Sequence, residues 1–285
     1  MKFCRYGSSG QERPGLIDEN NRIRDLSSIT ADIDAHFVMN AAETLRSVDQ
    51  ASLPLVEGTP RYGVPVAGSR TFVAIGLNYA DHAAESNLPI PSEPVVFNKW
   101  VSCLQGPDDP VTIPNGSAKT DWEVELGVVI GKAAHCIAEA DALAHVAGYM
   151  VVNDVSERHW QQERGPTWDK GKGFPTFGPV GPWLVTPDEV GDPQKLSMWL
   201  DVNGQRMQQG NTSTMIFTIA QIISYCSQFM ILLPGDIITT GTPPGVGLGQ
   251  KPEPWYLKPG DVVTLGIEHL GTQRQEFVAW STGKG

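Results

Sequence analysis

Two glutamates separated by one residue stand in the stretch TDWEVELGVVIG, residues 120–131, and could bind a cation together. If this stretch is a β-strand, Glu123 and Glu125 point to one face, and Trp122 and Val124 point to the other. Adjacent carboxylates near a buried face repel each other unless one is protonated or a cation binds both. The pair therefore predicts a site for a hard divalent cation, although a solvent-exposed pair on an edge strand is a common alternative.

A histidine and a glutamate follow the buried strand that is predicted for TFVAIGL, residues 71–77. If the segment after this strand is helical, His82 and Glu85 lie at positions i and i+3 and share one face of the helix. A neutral imidazole that is oriented by a carboxylate is a usual general-base arrangement. A plain surface contact between the two side chains is the alternative that the spacing leaves open.

Further charged residues stand near the ends of predicted elements. Asp154 follows a predicted strand, where its carboxylate could reach a cation held by a neighbouring strand. Asp154 could instead cap a helix over residues 155–164 and form an ion pair with Arg158, four residues later. The glycine- and proline-rich segment 168–182 carries two lysines, including Lys172, and its flexible backbone would let them approach a bound anion.

The composition excludes several classes of function. A chain of 285 residues with a net charge of −11 lacks the basic surface that binds nucleic acid or an anionic membrane. Its four cysteines are scattered and predict neither a zinc site nor a disulfide framework. The N-terminus has no apolar region typical of a signal peptide, and no run of residues is long and apolar enough to span a membrane. We therefore expect the protein in the reducing cytoplasm.

The chain divides into two predicted parts. Residues 1–62 form a small N-terminal module with short strands and helices, and residues 63–285 form the catalytic domain. A segment rich in proline and glycine, residues 53–68, connects them. Strands outnumber helices and do not alternate with them, which argues against a Rossmann fold. The loop GTPPGVG, residues 241–247, matches no nucleotide-binding motif.

Six motifs in a fixed order together resemble the fumarylacetoacetate hydrolase superfamily. The resemblance covers roughly residues 70–280 and implies an α+β, strand-rich fold, a mixed β-sandwich roll preceded by a small N-terminal α/β module. It also implies a homodimer or a higher homo-oligomer. The motifs are GLNYADHAAE (76–85), SEPVVFNK (92–99), TDWEVELGVVIG (120–131), NDVSERHWQ (153–161), KGKGF (170–174) and GDIITTGTPPGVG (235–247).

The resemblance assigns roles to individual residues: three carboxylates bind the metal, a His–Glu pair and a lysine act in catalysis, and four residues contact the substrate. The metal ligands are Glu123, Glu125 and Asp154; the catalytic residues are His82, Glu85 and Lys172; the substrate-binding residues are Arg158, Gln161, Thr242 and Tyr79.

The sequence departs from the family pattern at a few positions. Many relatives have Ser and Asp where this chain has Gly173 and Pro175, which raises a question about the geometry beside Lys172. The founding enzyme of the family has a further metal-binding Asp near the position of Asn78. Three carboxylate ligands are therefore expected here rather than four.

The chemistry that the resemblance implies is metal-dependent hydrolysis of a 2-oxo acid. Three carboxylates without sulfur or imidazole favour Mg²⁺, with Mn²⁺ as a substitute. Water activated by His82 would attack the C4 carbonyl of a 2,4-diketo acid, and cleavage of the C3–C4 bond would release pyruvate and a second acid. The full-length pattern is most similar to members that act on 2,4-diketo-3-deoxy sugar acids of the L-rhamnonate or L-fuconate type, which give pyruvate and L-lactate.

Other activities of the same family remain open at this point. They include acylpyruvate hydrolase, oxaloacetate decarboxylase, 2-keto-3-deoxy sugar acid dehydratase, isomerase and ureidoglycolate lyase. Because the first step of several of these reactions forms the same type of enolate, the sequence separates them poorly. A protein that binds sugar acids without catalysis is a further alternative, and the combination of His82, Glu85 and Lys172 argues against it.

Overall fold

The computed structural model of the chain describes residues 1–81, 90–165 and 167–281. In these residues strands predominate over helices. In chain order the strands are β1 (Lys2–Tyr6), β2 (Arg13–Ile17), β3 (Ile23–Asp25), β4 (Phe72–Gly76), β5 (Val95–Lys99), β6 (Leu104–Gln105), β7 (Val111–Ile113), β8 (Thr120–Asp121), β9 (Val124–Ile130), β10 (Val146–Asn153), β11 (Ser156–Glu157), β12 (Gly178–Val185), β13 (Ser197–Val202), β14 (Gln205–Asn211), β15 (Ile237–Thr239), β16 (Val262–Ile267) and β17 (Gly271–Ala279).

The helices of the described residues are short. The α-helices are α1 (Ala35–Thr44), α2 (Asp169–Lys172), α3 (Pro187–Val190) and α4 (Ile219–Cys226). The 3₁₀ helices are Gln50–Ser52, Val101–Cys103, Glu139–His145, Thr212–Thr214 and Gly247–Gly249, and His159–Glu163 forms a π-helical turn. None of these helices is long and apolar enough to cross a membrane.

Two mixed sheets make up most of the described chain. The larger sheet has ten strands in the order β3-β2-β1-β12-β10-β9-β15-β4-β5, with β6 paired to β12. The smaller sheet has five strands in the order β14-β13-β16-β17-β7, and β8 pairs with β11 separately. Strands β9, β10 and β12 of the larger sheet contact β13, β16 and β17 of the smaller one, so the main hydrophobic core lies between the sheets. The predicted strand-rich α+β fold is confirmed.

The N-terminal strands continue the larger sheet. Strand β1 pairs with β12, and Phe3 on β1 packs edge-to-face on Phe37 of α1 with ring centroids 5.1 Å apart. The backbone of the first residues is therefore hydrogen-bonded to a central element of the fold. The division of the chain at residue 62 stays a prediction.

Strand β9 occupies the centre of the larger sheet, between β10 and β15. All seven of its residues are buried, which explains why five of them are valine, leucine or isoleucine. Strand β10 runs antiparallel to it, with Val152 opposite Glu125 and Asn153 opposite Val124. This register brings the end of β10 beside the start of β9, where the predicted ligands lie.

The segment after Asp154 does not form the helix that its sequence allows. Residues Ser156–Glu157 form strand β11, and the π-helical turn follows from His159. Because Arg158 turns away to other partners, the interpretation of Asp154 as a helix cap with an ion pair to Arg158 is wrong.

Candidate active site

Three carboxylates converge where β9 begins and β10 ends. Glu123 immediately precedes β9, Glu125 lies on it, and Asp154 immediately follows β10. The backbone N–H of Asp154 donates to the carbonyl of Glu123 at 2.9 Å, which holds the two chain segments together. Each residue offers a ligand oxygen, and these oxygens lie within 4.8 Å of one another. At 5% exposure for Glu123 and 2% for Glu125, the solvent-exposed alternative for the pair is wrong.

Two buried lysines neutralise part of this negative charge. Lys172, at the end of α2, places its ammonium 2.6 Å from Glu123 Oε2 and 2.8 Å from Asp154 Oδ2. Lys99, at the end of β5, lies 2.7 Å from Asp154 Oδ1, but without the alignment of a hydrogen bond. The ammonium of Lys99 donates instead to the backbone carbonyl of Lys172 at 2.5 Å. Lys99 therefore connects β5 to both Asp154 and the segment that carries Lys172.

Arg158 is the third buried cation, and an aspartate orients it. Its Nε donates to Asp121 Oδ2 at 2.8 Å, and its Nη2 donates to Glu123 Oε1 at 2.7 Å. Its Nη1 donates to the side-chain oxygen of Gln161 at 3.0 Å. Asp121 in turn accepts the backbone N–H groups of Gly247 and Leu248, and also that of Trp122, the next residue along the chain. The guanidinium is therefore held in one orientation from three sides.

The pKa values of the two glutamates are shifted in opposite directions. Burial would raise the pKa of Glu123, but the charges of Lys172 and Arg158 outweigh burial and lower this pKa to about 2. Burial raises the pKa of Glu125 well above its usual range, and the negative charges of Asp154 and Glu123 raise it further. Glu125 is therefore the carboxyl group that most requires an additional cation to remain ionised.

The loop after β15 holds Glu125 and closes one side of the site. Thr239 Oγ1 donates to Glu125 Oε2 at 2.5 Å, and the backbone N–H of Gly241 donates to the same oxygen at 2.8 Å. Thr242 Oγ1 donates to the carbonyl of Val124 at 2.8 Å. The Thr239 hydroxyl at the end of β15 and the backbone N–H of Gly241 in the GTPPGVG loop thus position the carboxylate of Glu125.

A cavity of about 530 Å³ opens above the carboxylates. One end is charged and polar, and the rest of its wall is largely apolar. The charged and polar end is lined by Glu123, Glu125, Arg158, Gln161, Lys172 and Thr242. The apolar wall includes Ile75, Leu77, Phe97, Trp168, Val246 and Leu248.

The structure brings together most, but not all, of the residues that the sequence predicted. Two of the three predicted metal ligands, Glu123 and Glu125, line the cavity, and Asp154 is connected to the cavity wall through its ion pair with Lys172. Tyr79 is not among the described lining residues, because it is fully buried in the core and its hydroxyl donates to the sulfur of Met198 at 3.2 Å. The predicted substrate contact of Tyr79 has no geometric support.

The predicted general base lies outside the described residues. His82 and Glu85 both fall in the interval between residues 81 and 90, so their roles remain predictions. The residues just before this interval are firmly held. Asn78 donates to the carbonyl of Thr240 at 2.8 Å and accepts the N–H of Phe217 at 2.8 Å. Asn78 is thus used in holding the backbone in place.

Glycine at position 173 is compatible with the predicted place of Lys172. A Cβ atom at this position would lie 2.6 Å from Cε3 of Trp100, so a side chain here would require the exposed indole to shift. The ammonium of Lys172 still reaches Glu123 and Asp154. Glycine at position 173 therefore lets the backbone contact Trp100 and does not prevent Lys172 from reaching the carboxylates.

Sequence reasoning missed Lys99 and Asp121 as members of the site. Asp121 stands two residues before Glu123, on the same side of a strand-like stretch, and this alternation could have indicated it. Lys99 shows no comparable local signal, because its partners are 55 or more positions away along the chain.

The donor set fits a divalent cation. It consists of three carboxylate groups, which are the hard oxygen ligands that Mg²⁺ and Mn²⁺ prefer. Asp154 Oδ1 is buried and receives no aligned hydrogen bond, and the burial of Glu125 disfavours its charged form unless a cation is present. These observations indicate a divalent-metal site of acidic residues.

Comparisons with family models and with known proteins both identify relatives of this chain. Residues 71–278 match the family described as fumarylacetoacetate (FAA) hydrolase C-terminal. The chain is 61% identical to a 2,4-didehydro-3-deoxy-L-rhamnonate hydrolase of Sphingomonas sp. (strain SKA58), over 98% of this chain and 97% of that protein.

Solved structures show the same fold along the whole chain. A fumarylacetoacetate hydrolase from the psychrophile Exiguobacterium antarcticum aligns with a TM-score of 0.88 and 33% identity, over 98% of this chain and 100% of that one. A maleylpyruvate hydrolase from Sphingobium sp. SYK-6, solved with manganese (II) ion and pyruvate, aligns with a TM-score of 0.81 and 29% identity, over 99% of this chain and 100% of that one.

Proposed function

The chain belongs to the fumarylacetoacetate hydrolase family, and we propose that it hydrolyses 2,4-diketo-3-deoxy-L-rhamnonate at the C3–C4 bond to pyruvate and L-lactate. The observation that carries this proposal is the buried cluster of Glu123, Glu125 and Asp154, with Lys172 and Arg158 beside it in one cavity. The choice of substrate is supported by the similarity to the Sphingomonas hydrolase, whose name describes the same sugar acid.

The cluster binds the 2-oxo acid end of the substrate in this proposal. A divalent cation held by the three carboxylates would supply Lewis-acid stabilisation of the negative charge that develops on the substrate. Lys172 and Arg158 contribute hydrogen-bond donors at the same end of the cavity and offset the charge of the bound carboxylate. Because all of these groups are held by buried partners, they need little rearrangement when the substrate binds.

The cleavage step needs a proton acceptor, which we assign to His82 with Glu85 as the group that orients it. His82 removes a proton from water, and the water oxygen forms a bond to C4. The C3–C4 bond then breaks, and its electron pair moves to the three-carbon fragment as an enolate, which Lys172 stabilises. A proton returns to C3 to give pyruvate, and the three-carbon fragment made of C4, C5 and C6 leaves as L-lactate, with C4 as its carboxyl carbon.

We propose Mg²⁺ as the resident cation and Mn²⁺ as an effective substitute. The all-oxygen donor set supports a hard cation, and the manganese in the maleylpyruvate hydrolase structure supports the substitution. We also propose a homodimer, which rests on the family resemblance.

An isotope experiment tests the reaction. The protein, stripped of metal with EDTA and then given Mg²⁺ or Mn²⁺, is incubated with the synthetic diketo acid in water enriched in ¹⁸O. We expect equimolar pyruvate and L-lactate by NMR, with one ¹⁸O atom in the carboxyl group of the lactate by mass spectrometry. Carbon dioxide without lactate would indicate a decarboxylase instead, and a loss of water without cleavage would indicate a dehydratase.

A metal-ligand variant tests whether the carboxylate cluster is the catalytic centre. Glu125→Gln keeps the size of the side chain but removes one anionic ligand, so we expect weaker Mn²⁺ binding by calorimetry and loss of pyruvate formation. Glu276→Gln is a matched control on the exposed side of β17. Full activity of the Glu125 variant without added metal would contradict the proposal.

A further inference from the structure

We infer that Phe97 and Trp168 form the part of the cavity that receives the substrate's acyl tail, the carbons beyond C4, and that Trp168 limits the length of that tail. Gly76 allows the indole to take this place. The inference rests on the proposed function and extends it to specificity: the site accepts short tails that end in an apolar group, such as the methyl group of a 6-deoxy sugar acid.

A chain of contacts leads from the charged end of the cavity to Trp168. The ammonium of Lys172, which contacts Glu123 and Asp154, lies 5.3 Å from the centroid of the Phe97 ring. The Phe97 ring packs edge-to-face on Trp168, with centroids 5.3 Å apart and an interplanar angle of 66°. Both rings line the same cavity as the carboxylates. A substrate bound through its 2-oxo acid end therefore extends past Phe97 toward the indole.

Gly76 makes the position of the indole possible. A Cβ atom at this position, at the end of β4, would lie 2.4 Å from Cζ3 of Trp168 and 3.5 Å from Cε1 of Phe97. The shorter distance is less than any real Cβ contact, so a side chain here would force the indole to move. Glycine thus lets Trp168 pack directly against the backbone of the strand that forms the cavity wall.

The chemistry of this wall selects the tail. Val246 and Leu248 also line the cavity, so the described surroundings of the tail are largely apolar. A methyl group transfers favourably into such surroundings, whereas a terminal hydroxyl or carboxylate would lose water without gaining a partner. Gln162 and Lys251 also line the cavity, but both are exposed, so their polar groups remain hydrated.

The length dependence of ligand binding tests the inference without requiring turnover. Calorimetry on the Mn²⁺-loaded protein measures the affinities of 2-oxobutanoate, 2-oxohexanoate and 2-oxooctanoate, and of oxalate, which fills only the charged end. For Trp168→Leu we expect the affinity for 2-oxooctanoate, relative to 2-oxobutanoate, to rise about 10-fold over that of the wild type. The affinity for oxalate should be unchanged.

Trp183→Leu is the matched control. Trp183 is also half-buried and also packs edge-to-face on an aromatic ring, that of Tyr62, at 6.0 Å, but it does not line the cavity. Its variant should keep the wild-type length dependence. An unchanged length dependence in Trp168→Leu, or an equal change in the Trp183 control, would overturn the inference.

A second variant tests the role of Gly76. Gly76→Ala should weaken the binding of 2-oxohexanoate, since the displaced indole enters the space of the tail, and should leave oxalate binding unchanged. Adding Trp168→Leu to Gly76→Ala should restore the affinity, because the clashing ring is absent. If the double variant binds no better than Gly76→Ala, the glycine does not act through the indole.

Turnover separates this inference from the proposed function. Pyruvate release is measured in parallel from 2,4-diketo-3-deoxy-L-rhamnonate and from 2,4-diketo acids with short and long alkyl tails. If the wild type releases no pyruvate from any of them, the proposed function fails, while the binding series still decides the role of Trp168. If the wild type releases pyruvate but Trp168→Leu keeps the wild-type preference for tail length, the function stands and the tail inference fails.

Discussion

Asp121 offers a sharp test of how the site is held together, because it can be changed without altering its shape. Its two carboxylate oxygens accept four N–H donors. Oδ1 accepts the backbone N–H groups of Trp122 at 2.8 Å and Gly247 at 2.6 Å. Oδ2 accepts Nε of Arg158 at 2.8 Å and the backbone N–H of Leu248 at 3.0 Å. The substitution Asp121→Asn replaces one of these acceptors with an NH₂ group.

The size of the effect follows from this count of donors. Whichever way the new amide turns, its NH₂ group faces two N–H donors that have lost their acceptor. Each buried donor without a partner costs about 2 kcal/mol, so the variant should be less stable by about 4 kcal/mol. For a chain of this length that corresponds to a fall in Tm of about 7 °C. In either orientation Arg158 loses the negative charge of Asp121, so its charge-assisted hydrogen bond is weakened or lost. The guanidinium, which contacts Glu123, is then less firmly oriented, and we expect kcat/KM to fall about 100-fold.

Asp236→Asn separates the effect on stability from the effect on the site. Asp236 is equally buried, at 1% exposure, but lies outside the cavity wall. It accepts the backbone N–H groups of Arg70, Thr71 and Leu233, and its amide can turn so that only the last is lost. We expect a fall in Tm of about 3 °C and unchanged kcat/KM.

The assay is thermal melting by circular dichroism, together with pyruvate release at a temperature where both variants are folded. If Asp121→Asn lowered kcat/KM no more than Asp236→Asn, Asp121 would contribute only to stability. If Asp121→Asn had the same Tm as the wild type, the four hydrogen bonds would not contribute the stability that we assign to them.

Three further predictions concern other buried and exposed groups. Lys99→Met should destabilise the protein by about 3 kcal/mol, because Asp154 loses one of its two cations. The control Lys119→Met removes an exposed ion pair and should have the Tm of the wild type. Equal Tm values for the two variants would contradict the reasoning. His82→Ala should lower turnover at least about 100-fold while Mn²⁺ binding by calorimetry is retained, and residual full activity would exclude His82 as the base. In the native protein iodoacetamide should alkylate only the exposed Cys136. The other three cysteines are buried, and burial raises the pKa of each of their thiols. A second fast-reacting thiol, detected by mass spectrometry, would refute this prediction.

The sequence predicted those parts of the site whose residues lie close together along the chain. The two-residue period of extended backbone indicated that Glu123 and Glu125 share a face, and both join the cluster although Glu123 immediately precedes β9. The six ordered motifs also indicated Asp154, Lys172 and Arg158, and all of these meet in one cavity or directly behind it. The alternative in which Asp154 caps a helix and pairs with Arg158 is wrong, because residues Ser156–Glu157 form a strand and Arg158 pairs with Asp121 and Glu123.

Local propensity was a weaker guide where long-range pairing competes with it. Strand β11 forms because Ser156 and Glu157 pair with Asp121 and Thr120 on β8, far away in the sequence. That pairing turns Arg158 toward Asp121 and Glu123 rather than toward Asp154. A helix in this segment would satisfy only local hydrogen bonds, so the sequence of the segment alone could not decide between the two.

The sequence by itself determined which groups are available: two carboxylates on one face of a strand, a third at the end of another strand, and lysines in glycine-rich surroundings. Only the tertiary structure decided whether that face is buried or exposed. Strand β9 lies between β10 and β15, and the antiparallel register places Asp154 beside Glu123. Lys99 joins the same cluster from β5, at a distance along the chain that no local period can indicate. The reason is physical: burial of these charges costs desolvation free energy, which is offset only when the fold brings their partners together from distant parts of the chain.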